Sequence, residues 1–412
     1  MHLLRATLIV GLLLLTYLAK AQSGCTDPQA TNYDPGATEN DGSCSYPGAS
    51  YTAQLIAQLP DELVETSGLA YWGGQLWTHN DGGNPKRIYR IDTLTGAILQ
   101  SVKIDNAGNQ DWEDMAESDT HLYVGDFGNN SGDRTNLTIY KIDKADLAAA
   151  GTTEVQAELI TFNYADQTDF TPGNNDTDYD CEAFFYDEGN LHLFSKNWND
   201  KQTRHYTLPT VAGNFTAQLV ETYDVSGLIT GGDISPDGVV ALVGYTSVGG
   251  MFMWLLYDYQ GTDYFSGNKR RISLGNALNM SQMEAVVYKE GSAGFISAES
   301  FDNLLPQKLF RMNTGEYTQG VVTSATLPTL QDRAVSVYPT PVEDTLYIEA
   351  PLAGGTQVPY AIVDLLGRTQ LEGRLRFSSQ RATIGVQSLL PGMYFVLLRG
   401  SDHTLVRRVV RR

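Results

Sequence analysis

The residues best suited to chemistry in this chain of 412 are acids that recur at wide intervals. Glu65, Glu113, Glu182, Asp233 and Glu284 each open a similar passage: an acid, a short apolar run, a turn, and a second run ending in a polar group. The acids lie 48, 69, 51 and 51 residues apart, as in ETSGLAYWGGQLWTHND from Glu65 and EAFFYDEGNLHLFSKN from Glu182. Aligning the second runs adds Asn80, Asp126, Lys196, Tyr245 and Glu299, while Asp81, Asp111, Asp114 and Asp180 bring more negative charge. Carboxylates gathered around one axis repel strongly at low dielectric. A bound cation, raised pKa values, or a basic partner such as Lys196 would relieve that repulsion. An all-oxygen donor set suits a hard cation, so Ca²⁺ is expected, with Glu65, Asn80, Glu113, Asp126, Glu182, Asp233 and Glu284 as candidate ligands. The alternative makes the acids clasps that accept hydrogen bonds from backbone amides of neighbouring repeats.

A period near 50 residues built from paired short strands suits a four-stranded propeller blade. In a blade the innermost strand lines the channel and the next runs antiparallel, so the start of one and the end of the other share a face. That arrangement brings the acids to one channel mouth. The run YTAQLIAQLP before the first passage resembles FTAQLVETYD before the fourth, so the N-terminal run is expected to complete the last blade and hide its edge. Five blades follow, or six if an irregular blade occupies the long 113–182 interval. No long amphipathic helix is evident, and the 40 Gly and 23 Tyr fit strands joined by tight turns. The expected fold is all-β: a five- or six-bladed β-propeller over residues 51–330.

The two ends read differently. Residues 1–21 combine Arg5, an apolar stretch and Ala19-Lys20-Ala21, the pattern of a secretory signal peptide cut before Gln22. The apolar core is short for a membrane span, so no transmembrane segment is expected after processing. In an oxidising compartment Cys25 and Cys44 are expected to pair across residues 22–50, a coreless Asp/Asn-rich segment, with Cys181 left free. Asp27, Asn32, Asp34, Asn40 and Asp41 of that segment read either as calcium ligands or as the turn residues of a linker. Net charge is −20, which argues against a nucleic-acid partner. Residues from Arg333 onward reverse the sign, with ten basic against six acidic side chains. Alternation such as Val335/Val337 and Leu346/Ile348 marks a small antiparallel sandwich over residues 333–412.

That last stretch carries Tyr338-Pro339-Thr340-Pro341, Asp364-Leu365-Leu366-Gly367-Arg368 and Leu390-Pro391-Gly392-Met393-Tyr394 before a basic terminus. It resembles the C-terminal sorting domain of type IX (Por) secretion, although Thr340 stands where the family usually has Asn. The resemblance implies engagement of the type IX machinery, passage through the periplasm, removal of the domain, and a final place on the cell surface or in the medium. The central runs ETSGLA, LWTHNDGG, DWEDMA, GDFGNN and DCEAFF resemble secreted propellers of the esterase-like phytase, gluconolactonase-like and SdiA-regulated kind. On the lactonase analogy Glu65 is the first metal ligand, followed by Asn80 and Asp126. Ser67 lies outside any nucleophile elbow, and no zinc spacing, phosphate loop or dinucleotide fingerprint is present. His79 reads as a general base or as plain structure. Two functions stay open: a metal-dependent hydrolase of small esters, lactones or phosphate esters, or a non-catalytic module that binds an unknown small molecule or surface ligand.

Overall fold

The computed structural model describes residues 22–301, 304–318, 334–352, 356–365, 368–377, 380–387, 389–399 and 404–412. The expected signal peptide, 1–21, lies outside the described residues.

Short strands alternate their side chains between the two neighbouring sheets, and this alternation builds the ring. On Thr66–Trp72, Leu69 joins one apolar cluster with Ala285 and Phe295, while Ala70 joins another with Trp112 and Val124. That is the period of two expected of a strand buried on both faces. The turn to Gln75–Asn80 is made by Gly73 and Gly74, both at positive φ, as a two-residue hairpin of the type I′ kind requires.

Five four-stranded meanders follow one another among the described residues. Blade 1 comprises Thr66–Trp72, Gln75–Asn80, Arg87–Ile91 and Ile98–Ile104. Blade 2 comprises Trp112–Glu117, His121–Asp126, Leu137–Asp143 and Glu158–Tyr164. Blade 3 comprises Asp180–Asp187, Asn190–Lys196, Gln202–Pro209 and Gly213–Asp224. Blade 4 comprises Leu228–Ile234, Val240–Tyr245, Gly250–Tyr257 and Asn268–Asn276. Blade 5 takes Gln282–Glu290, Ala293–Glu299 and Lys308–Asn313 from one part of the chain and Gln54–Gln58 from the N-terminal part. The last pairing is antiparallel, so the N-terminal strand completes the final blade as expected. Each innermost strand packs against the next, and that of blade 5 against that of blade 1, which closes the ring. The result is a β-propeller. The long 113–182 interval holds the outer strand of blade 2, the two-residue strand Glu154–Val155 and the loop 165–179.

Crowding at the axis selects small residues. A Cβ on Gly68 would lie 2.5 Å from the Met115 nitrogen of blade 2. At the rim, outer strands are paired rather than left open. Ala49–Ser50 adds in parallel to blade 4, Glu154–Val155 to blade 1, and the outer strands of blades 2 and 3 pair with each other. Such pairing removes edges that would template association.

The C-terminal region forms two antiparallel sheets. One contains Ser336–Tyr338, Thr345–Glu349 and Arg381–Gly385. The other runs in the order Thr369–Arg376, Gln357–Val363, Gly392–Arg399, Thr404–Arg411. Leu346, Ile348, Val358, Ile362, Val396 and Val409 share one core between them. Cys25 and Cys44 are bridged, and Cys181 is a buried free thiol. No helix among the described residues is long and apolar enough to cross a membrane.

Candidate functional site

Strand register places the second-strand residues at one level. Thr66 pairs with Asn80, Trp112 with Asp126, Asp180 with Lys196, Leu228 with Tyr245, and Gln282 with Glu299. Just beyond each of these pairs the register shifts, and the shift carries Glu113, Glu182, Thr230 and Glu284 in blades 2 to 5. Glu182 and Glu284 therefore occupy equivalent places, and the blade 4 equivalent is Thr230.

The acidic ring expected from sequence is thus lopsided. Asp233 sits three residues past Thr230, accepts the Tyr288 N–H at 2.7 Å, and feels Glu117 at the far end of the blade 2 strand. It belongs to the opposite end of the channel, because two acids at equal sequence spacing need not share a register. Asp126 is at the mouth but fully engaged: Arg134 Nη2 donates to it at 2.8 Å and the Asp111 N–H at 3.1 Å. Asn80 turns its amide nitrogen to the Glu62 carbonyl at 2.7 Å. Glu65 is exposed and takes a hydrogen bond from Asn84.

What the fold brings together is a cluster over blades 1 to 3. Carboxylate oxygens of Asp81, Asp111 and Glu113 lie within 4.8 Å of one another, as do those of Glu113, Asp180 and Glu182. Glu113 belongs to both groups. Asp111-x-Glu113 and Asp180-x-Glu182 repeat one short pattern in adjacent blades, a register step apart, and this local signal is obscured by the wide spacing of single acids. Glycines make room for the cluster: a Cβ on Gly82 would come 2.5 Å from Asp111 Oδ1, and one on Gly128 would clash with Glu113 Oε1.

Burial dominates the electrostatics. It pushes Asp81 up to about 6, and pushes Asp111 up to about 7 with help from Asp81 and Asp180. Glu113, Glu182 and Glu284 are raised well above the usual carboxylate range, first by burial and then by neighbouring acids. Glu299 rises to about 8 by burial, with Asp81 and Glu65 adding to it. The buried cation here is Lys196, which donates to Glu182 Oε1 at 2.6 Å and lies over the rings of Trp198 and Tyr245. Burial disfavours its ammonium, but Glu182, Tyr245 and Asp180 outweigh that and hold it charged. Asp180 is tied to Asn129 N–H at 2.6 Å and Trp198 Nε1 at 2.8 Å.

Beneath the cluster the clasp is a different acid. Asp114 is fully buried and accepts from the Phe184 N–H of blade 3 and the Gly232 N–H of blade 4, each at 3.2 Å. Hydroxyls complete the layer: Ser297 donates to the Ser67 carbonyl at 3.1 Å, and Thr230 to the Met283 carbonyl at 2.9 Å. His79 is enclosed in this layer against Trp112, and burial lowers it to about 4. Its Nδ1 meets the Asn80 carbonyl at 3.0 Å.

Residues 336–412 match the secretion system C-terminal sorting domain. No curated protein matches the chain. Among solved structures, a regucalcin from Agrobacterium tumefaciens, described as a calcium-binding protein, is 9% identical with a TM-score of 0.34, covering 64% of this chain and 94% of its own. An exo-β-1,3-galactanase from Phanerochaete chrysosporium is 8% identical with a TM-score of 0.39, covering 91% and 98%. The β-propeller follows from the strand order and the packing of successive inner strands. The class is a β-propeller protein with an appended sorting domain. Its sorting domain is that of type IX secretion, which directs it to the cell surface or the extracellular space.

Proposed function

We propose that the mouth binds a hard divalent cation, Ca²⁺, through Asp81, Asp111 and Glu113, with Asp180 and Glu182 completing the donor set. The observation that supports this most is the sharing of Glu113 between two carboxylate groups while Lys196 is engaged by Glu182. The donors are all oxygen, as Ca²⁺ prefers, and two glycines leave space for them. When bound, the cation would polarise an oxygen of a small ester, lactone or phosphate ester. Glu299, paired with Gln282 at the same level and pushed up to about 8 by burial first, would be the proton donor. Metal analysis and calcium titration of the secreted protein, with an ester and phosphate-ester panel, test this reading. Turnover that needs Ca²⁺ supports the hydrolase, and tight calcium binding without turnover assigns the face to ligand binding. Failure to bind Ca²⁺ in wild type removes the metal-dependent hydrolase and leaves the non-catalytic binding module.

Export follows the ends of the chain. The secreted form is expected to begin near Gln22 and to lack the region matched at 336–412. Intact mass of protein from the surface or medium checks both cuts, and a retained tail there would show that the domain is not removed.

A further inference from the structure

The disulfide-bridged segment 22–50 holds almost no core of its own, only Cys25, Ala30 and Cys44 with Tyr46 against them. It is nevertheless fastened to blade 4 from both sides of the bridge. On the Cys25 side, Tyr257 donates to Asp27 Oδ2 at 2.9 Å and Arg270 Nη1 to Gln29 Oε1 at 2.6 Å. On the Cys44 side, Asn40 donates to Asn268 Oδ1 at 3.0 Å and Lys269 Nζ to the Gly42 carbonyl at 3.1 Å. The bridge holds these two sets of contacts in one body. A flexible linker has no need of them.

Arg270 is the hub. Its buried guanidinium lies between the rings of Tyr46 and Tyr317, 5.1 and 5.0 Å from their centroids, and donates to the Tyr317 carbonyl at 2.8 Å. Tyr317 sits in Gly315–Thr318, where the propeller chain leaves blade 5 toward the sorting domain. Its hydroxyl donates to the Ser50 carbonyl at 2.9 Å. Ser50 in turn belongs to Ala49–Ser50 on the edge of blade 4, a few residues before Gln54–Gln58 closes blade 5. One short N-terminal run therefore touches the ring's closing strand and the chain's exit together.

We propose that the bridged segment is a clamp. Closed, it holds Gln54–Gln58 in blade 5 and Tyr317 against Arg270, so ring closure and anchorage of the exit depend on one covalent bond outside the ring. Opening it with a dithiol transfers two electrons and two protons to the Cys25 and Cys44 sulfurs, while the dithiol becomes a disulfide. A cation–π sandwich of this kind keeps its value only while both rings stay ordered.

Amide hydrogen exchange on the secreted protein, before and after dithiothreitol, tests the clamp, with thiol labelling to show that both cysteines have opened. Exchange at 54–58 and 315–318 should quicken at least tenfold, while Trp112–Glu117 of blade 2 stays protected. Arg270→Gln, with the bridge intact, should quicken 315–318 more than 54–58, since the remaining contacts to Tyr257, Asn268 and Lys269 still fasten the segment. The Cys25→Ser/Cys44→Ser double variant should reproduce the reduced pattern, and reduction of folded wild type decides the matter if that variant does not fold. Unchanged exchange at both segments after opening would overturn the clamp. So would equal acceleration in all five blades, which would make the bridge a general stabiliser.

Discussion

The bridged N-terminal segment and the mouth of the ring are both dense in acids and amides, yet their carboxylates live in opposite surroundings. In the segment nearly every oxygen faces a donor. Asp34 takes the Gly36 N–H at 2.8 Å, Asn32 the Ser45 N–H at 2.8 Å, and Asp41 the Ser43 N–H at 3.0 Å. Hydrogen bonds from Ser43 hold Asp41 below the ordinary carboxylate range. The first and third are turn-forming bonds two residues apart, and the second ties Asn32 across the bridged loop to Ser45. At the mouth the acids face other acids, and burial raises them. Acid density says little about cation binding. The supply of local donors decides it.

The largest loss of stability is expected one residue from Glu113. Asp114→Ala leaves the Phe184 and Gly232 N–H groups unpaired in the core, and at about 1–3 kcal/mol for each such group the loss should be about 3 kcal/mol, with or without Ca²⁺. Denaturant unfolding in calcium and in chelator measures it, and Asp114→Asn, which keeps an acceptor, should lose less. A loss confined to the calcium-bound state would make Asp114 part of the metal site instead.

Glu113→Gln should behave the other way round. In wild type, Ca²⁺ at a hundredfold excess over its Kd should add about 2.7 kcal/mol by mass action, read as a rise in Tm. The variant should keep its chelator Tm and lose the rise. A variant that responds to Ca²⁺ like wild type places the cation elsewhere.

The smallest effect concerns Asp233, at the other end of the channel. Burial raises it from 3.8 to about 7, so the folded state holds its proton more tightly than the unfolded chain. Its contribution to stability is complete below about pH 4 and is lost as pH rises through about 7. Asp233→Asn keeps an oxygen for the Tyr288 N–H, so its stability should be flatter than wild type between those limits and should not depend on Ca²⁺. Parallel pH profiles for the two proteins would show that Asp233 does not titrate there.

The sequence alone determined the repeat, the closing N-terminal strand, the Cys25–Cys44 pair and the sorting domain, because each is written in local pattern: alternation, turn residues, spacing and short motifs. It also placed Asn80, Asp126, Lys196, Tyr245 and Glu299 at one level, since hairpin partners follow directly from turn position. Only the tertiary structure decided which acids meet. A one-residue bulge near the head of a strand moves every later side chain to another face, and nothing in the spacing of single acids reveals it. Asp233 left the group because the strand begins at Leu228 and puts it at the far end, opposite Ala241, while Asp81, Asp111 and Asp180 share the mouth. Whether an acid is free, as Glu113 is, or clasped, as Asp126 and Asp114 are, depends on donors such as Arg134, Phe184 and Gly232 that the ring delivers from elsewhere in the chain.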